Sequence, residues 1–123
     1  MNDLLGVLDI VLLEQYDTDR FRLVNTAPNW FIRFYPKAVF GKKAFWPPET
    51  FPFLENFLID AESFWEKKTV GRLKSGTFVE IDGKGNECAL EASVLCLGKR
   101  KILLLELLGT AHEERQDLLQ RAR

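Results

Sequence analysis

Thr77-Phe78-Val79-Glu80-Ile81-Asp82-Gly83-Lys84-Gly85-Asn86 sets Thr77, Val79 and Ile81 against Phe78, Glu80 and Asp82 before a glycine-rich turn. Cys88, Leu90, Ala92, Val94 and Cys96 then recur at every second position. Past Gly98-Lys99-Arg100 comes Ile102-Leu103-Leu104-Leu105-Glu106-Leu107-Leu108. A period of two predicts strands, and the short turns between them predict antiparallel hairpins. Because the last run is apolar on both faces except at Glu106, it is expected at the centre of a sheet or covered on both sides.

Upstream of these strands, the period changes. Residues 52–68, Pro-Phe-Leu-Glu-Asn-Phe-Leu-Ile-Asp-Ala-Glu-Ser-Phe-Trp-Glu-Lys-Lys, place Phe53, Phe57, Ala61 and Phe64 or Trp65 at helical spacing. Pro52 suits a first turn, Lys67 and Lys68 complement the negative C-terminal end, and Gly71 is the expected terminator. Residues 37–51, with Gly41, Pro47 and Pro48 among aromatics, have no period and predict short helical turns and loop. Before them, Thr26 is the expected cap of a helix that tolerates Pro28, stops at Pro36 and carries Trp30 and Phe34 on one face. Ile10 to Gln15 and Arg20 to Asn25 read as a hairpin around Tyr16-Asp17-Thr18-Asp19.

At the ends, Asn2 or Asp3 can cap a short amphipathic helix over 2–8, with Leu4, Leu5 and Leu8 on one side. Thr110 and Glu113 fit a capping box, predicting a helix over 110–123 with a half-polar seam of Leu108, His112, Arg115, Leu119 and Ala122.

The chain has 123 residues, 46% of them hydrophobic and 28% charged, a balance suited to one globular domain that buries about two-thirds of its unfolded surface. With 17 basic and 18 acidic side chains the net charge is −1, which supplies no electrostatic excess for nucleic acid. The basic stretch Lys99-Arg100-Lys101 is explained by a solvated turn. Two cysteines and one histidine fit neither a disulfide framework nor a zinc site, and no apolar run approaches a membrane span. A cytoplasmic location is expected.

The order strand, strand, helical middle, long helix, three strands and exit helix resembles the PAS fold, as do particular residues. Val24-Asn25 before Ala27-Pro28 is similar to the PAS strand end that opens into a helix. Ser75-Gly76-Thr77-Phe78 to Asp82-Gly83-Lys84-Gly85 is similar to the penultimate hairpin, and Leu90-Glu91-Ala92-Ser93 with Leu103-Leu104-Leu105 to the last pair. The usual acidic-apolar-threonine end of the last strand is replaced by Leu107-Leu108-Gly109-Thr110. The resemblance implies an α+β domain over 1–109, a five-stranded antiparallel sheet with helices on one face, followed by a signalling helix over 110–123. It implies a non-catalytic input module that dimerises through the N-terminal helix, outer sheet face and exit helix, and drives a histidine kinase or, less often, a diguanylate cyclase in the same polypeptide.

A small apolar ligand, if one is bound, would lie among Trp30, Phe34, Phe53, Phe57, Phe64, Trp65, Leu90, Ala92 and Leu105, residues that core packing explains equally well. Gly85-Asn86-Glu87-Cys88 echoes the Asn-Cys motif of flavin-binding relatives, but Cys88 falls on a late strand instead of the helical middle. Haem-binding relatives use a histidine on the long helix, and 52–68 contain none. No flavin, haem or metal is therefore expected. No nucleophile with an adjacent base and no glycine-rich phosphate loop is present, so an enzyme is not expected either. The rival reading is a stand-alone carrier of a hydrophobic small molecule.

Overall fold

The computed structural model describes residues 8–40, 44–68 and 70–110. Three hairpin-linked pairings dominate it. Strands β3 (Arg72–Ile81), β4 (Glu87–Leu97) and β5 (Arg100–Thr110) follow one another, and β5 closes onto β1 (Ile10–Asp17), which pairs with β2 (Arg20–Leu23). The result is one five-stranded antiparallel sheet in the order β2-β1-β5-β4-β3. β5 is thus central, as its two apolar faces require, with Leu105 paired to both Val11 and Ala92.

The helical elements among the described residues all lie between β2 and β3: α1 (Asn29–Phe34), a 3-10 turn (Pro36–Phe40), α2 (Pro47–Thr50) and α3 (Leu54–Glu66). Their buried side chains share one core with the inner face of the sheet, including Trp30, Phe31, Leu54, Phe57, Ala61 and Trp65 against Val11, Leu13, Leu90, Val94, Leu103 and Leu105. An α+β fold results.

Several boundaries differ from the sequence expectation. Pro28, not Thr26, stands at the N-cap of α1 and makes no side-chain cap bond. Its ring presets the extended backbone from which the helix starts. The helix stops at Phe34 because Tyr35 precedes a proline and takes an extended conformation, φ −134° and ψ 81°. α3 ends before Gly71, since Lys68 itself adopts the left-handed φ of 49°. Strand β3 begins at Arg72 instead of Thr77, because Ser75 and Gly76 form a bulge within it, where Gly76 has φ +78° and Ser75 Oγ accepts a bond from the Ala92 amide at 3.0 Å.

The helices expected over 2–8 and 110–123 lie outside the described residues, apart from their edges. Leu8 is in a turn. Thr110 pairs with Cys88, so β5 runs one residue past the boundary expected at 109.

Candidate functional site

The inner layer is built from aromatics at helical spacing and at the ends of loops. Six of the nine candidate pocket residues, Trp30, Phe57, Trp65, Leu90, Ala92 and Leu105, are buried in the core, and Phe34 and Phe64 pack against it half-buried. Phe53 is placed elsewhere: it is 41% exposed and stacks on Phe78 of β3 with ring centroids 4.1 Å apart. The hub of the layer contains rings that periodicity did not single out. Phe51 lies 6.0 Å from Phe31 and 4.9 Å from Phe34, while Phe45 lies 6.0 Å from Phe31 and 4.5 Å from Tyr35. Phe45 and Phe51 come from the aperiodic stretch, and the only sequence signal for them is aromatic density. Trp65 donates its indole N–H to the Leu95 carbonyl at 3.1 Å. The buried Trp30 indole N–H has no acceptor among the described residues.

Two polar clamps hold the layer to the sheet. Asn25, buried where β2 leaves the sheet, accepts from the Leu12 amide and donates to the Ile10 carbonyl, both at 2.8 Å, and to the Thr26 carbonyl at 3.2 Å. That satisfies backbone groups of β1 beside an edge where regular pairing stops. Asp82, in the β3–β4 turn, accepts from the Lys84 and Asn86 amides at 2.9 Å each and from Arg33 Nε of α1 at 3.1 Å. Burial alone would raise the Asp82 carboxyl, but the Asn86 and Lys84 amides together with the Arg33 guanidinium hold it below the usual carboxylate value.

The outer face has no helix over it among the described residues. Ile10, Leu12, Leu95 and Leu104 lie half-buried there, and Val79 and Ile81 are 57% and 63% exposed. Glu14 crosses this face between two arginines, at 3.0 Å from Arg22 of β2 and 2.9 Å from Arg100 of β5. Its carboxyl is lowered chiefly by the Arg100 bond and further by Arg22, against the opposing effect of burial. Glu91 and Glu106 stand directly opposite each other in the β4–β5 ladder, with no ion pair to either among the described residues. Like charges in that position repel.

The surface of the described residues has hollows beside the helical layer. One of ≈ 340 Å³ includes Gln15, Glu62 and Lys101, and one of ≈ 320 Å³ includes Tyr35, Trp46 and Glu49. Tyr35 is raised by burial and by the Glu49 carboxylate. None of the nine candidate pocket residues lines either hollow. Cys88 is buried at the start of β4, its thiol 3.8 Å from the Asn86 carbonyl, and His112 lies outside the described residues. No group of three histidine, cysteine, aspartate or glutamate side chains among the described residues could hold a metal, and no helix among them is long and apolar enough to cross a membrane. No protein-family model, curated protein or solved structure matches the chain.

Proposed function

We propose that the chain is an input domain of the PAS type, which pairs with a second copy through its outer sheet face and passes displacement of its two central strands to an output module such as a histidine kinase. The observation that carries this reading is the strand order β2-β1-β5-β4-β3 with every described helix inserted between β2 and β3. This order leaves the first and last strands side by side at the centre. Ile10 pairs with Glu106, and the Leu107 amide donates to the Asp9 carbonyl at 3.1 Å, so chain entry and exit are coupled at one end of the sheet. Any shift of the outer face is thereby carried to the residues that follow β5.

The dimensions also support pairing. Five strands spaced ~4.8 Å apart and averaging about 30 Å in length, β2 being the shortest, present roughly 700 Å², close to the ~800 Å² per partner of a standard interface. Leu104 stands at the middle of that face, flanked in register by Leu12 and Ser93. Light scattering of the full chain is expected to give twice the chain mass. Leu104→Lys should give the monomer mass with its circular dichroism unchanged, because a half-buried lysine can lift its ammonium into water. A wild-type chain that stays monomeric at high concentration overturns the pairing.

A further inference from the structure

Antiparallel pairing gathers two separate chain segments at one corner of the sheet. Arg72 opens β3 opposite Leu95 of β4, and Leu97 pairs with Arg100 across the β4–β5 turn. The α3–β3 loop and that turn therefore stand side by side, at the end of the sheet away from the Ile10–Glu106 pair where β1 begins. Together they present Lys67, Lys68, Arg72, Lys74, Lys99 and Arg100, all exposed. Of these six, only Arg100 is ion-paired among the described residues, to Glu14. The nearby acids are fewer: Glu66 ends α3, Glu62 lies a turn earlier, and Asp17 and Asp19 flank the β1–β2 turn on the far side of β5.

Two aliphatic side chains project from the same corner. Val70, in the α3–β3 loop, is 97% exposed, and Leu97, at the rim of the β4–β5 turn, is 49% exposed. One exposed aliphatic residue is ordinary on a protein surface. Here each stands between cations in the chain, Val70 between Lys68 and Arg72 and Leu97 just before Lys99 and Arg100. The other end of the same strands has the opposite sign, with Glu87 and Glu91 on β4 and Glu106 on β5, and Lys84 beside them in the β3–β4 turn. The chain's net charge of −1 thus conceals a polarity along the strands.

A projecting corner that combines cations with aliphatic tips matches a flat, anionic and partly apolar surface. Nucleic acid would engage the lysines and arginines but leave Val70 and Leu97 in water. A bilayer takes both, the cations at anionic headgroups and the aliphatic tips at the boundary with the acyl chains. We propose that this corner docks the domain on a bilayer containing anionic lipid, lying on the surface without spanning it. The acidic end then points away from the bilayer, and with it the Ile10 and Glu106 ends of the two central strands. Docking uses loop side chains and is independent of whether two copies pair or drive an output module.

Flotation of the full chain with phosphatidylcholine vesicles containing about one-quarter phosphatidylserine tests this. The chain should float with these vesicles at low salt, release as salt is raised, and stay behind with phosphatidylcholine alone. Each lysine near the surface is worth about fivefold in partition, so Lys67→Gln combined with Lys68→Gln should weaken it about twenty- to thirtyfold. Val70→Gln should weaken it about three- to tenfold with the melting temperature unchanged, since folding buries almost none of that side chain. Lys84→Gln, at the acidic end, should leave partition as it is. Absence of flotation, equal flotation with phosphatidylcholine alone, or full partition in the double lysine variant would each overturn the proposal. So would Val70→Gln with undiminished partition, or binding to duplex DNA stronger than to the anionic vesicles.

Discussion

Asp82 has no exposed side-chain surface and is charged only because its neighbours make the charge favourable. With the folded-state carboxyl held below its ordinary value, the stabilisation is fully present above the unfolded value near 3.9 and is lost as pH falls through the folded one. Glu14, also lowered, contributes with the same sign. Urea unfolding followed from neutral pH to about pH 2 should show a decline beginning near pH 4. Asp82→Asn should flatten part of that decline and cost about 1.5–3 kcal/mol at neutral pH, since hydrogen bonds to a charged acceptor are lost. Gly83 next to it tests the same clamp from the backbone side. A Cβ there would come within 2.9 Å of the Arg33 carbonyl oxygen, which the Gly83 amide already contacts at 3.1 Å. Gly83→Ala should therefore destabilise by about 1–3 kcal/mol through overpacking, measured by thermal melting. The turn itself was legible in Asp82-Gly83-Lys84-Gly85-Asn86. Its fastening to Arg33 was not, because the two residues are 49 apart in the chain and nothing local relates them.

α3 is the element whose existence was most legible and whose ends were least so. Its apolar positions at helical spacing depend only on neighbours within two turns, and Leu54, Phe57, Leu58, Ala61 and Trp65 are buried as such a stripe should be. Termination depends on Lys68 entering the left-handed region, a conformation for which glycine is the usual residue. Trp65 joins this helix to the sheet in two ways, by its buried ring, 6.2 Å from that of Phe21 on β2, and by its bond to the Leu95 carbonyl of β4. Trp65→Ala should cost about 3–5 kcal/mol of stability. Trp65→Phe, which keeps most of the ring but removes the donor, should cost about 1–2 kcal/mol in urea titration. Equal losses for the two variants would mean that the bond to β4, not the packing, holds the helix down. Strand β3 shows a different limit. Its alternation fits either orientation, and the core takes Phe78 while Val79 and Ile81 face outward, because Phe53 and the core lie on the Phe78 side.

For the whole molecule, the proposed relay makes one demand beyond pairing: output must depend on the rotational phase at which the output module is joined to the chain. Residues 1–123 fused to the dimerisation and catalytic region of a histidine kinase, with insertions stepping through one heptad at the junction, should give autophosphorylation that rises and falls with helical period. Activity that declines steadily with insertion length, or ignores it, would count against a relay through this route. Within the chain itself, the sequence alone determined what is local: hairpin turns, the period-two strands, the α3 stripe and the centrality of the doubly apolar β5. Each of these follows from contacts between near neighbours or from the demand that an apolar face be covered. Tertiary structure alone decided the strand order, the meeting of Phe31, Phe45 and Phe51, the Arg33–Asp82 clamp, and the outward turn of Phe53 from the expected pocket. Those outcomes depend on which distant surfaces fill the same space, and alternation or aromatic content is compatible with several answers until the whole core is packed.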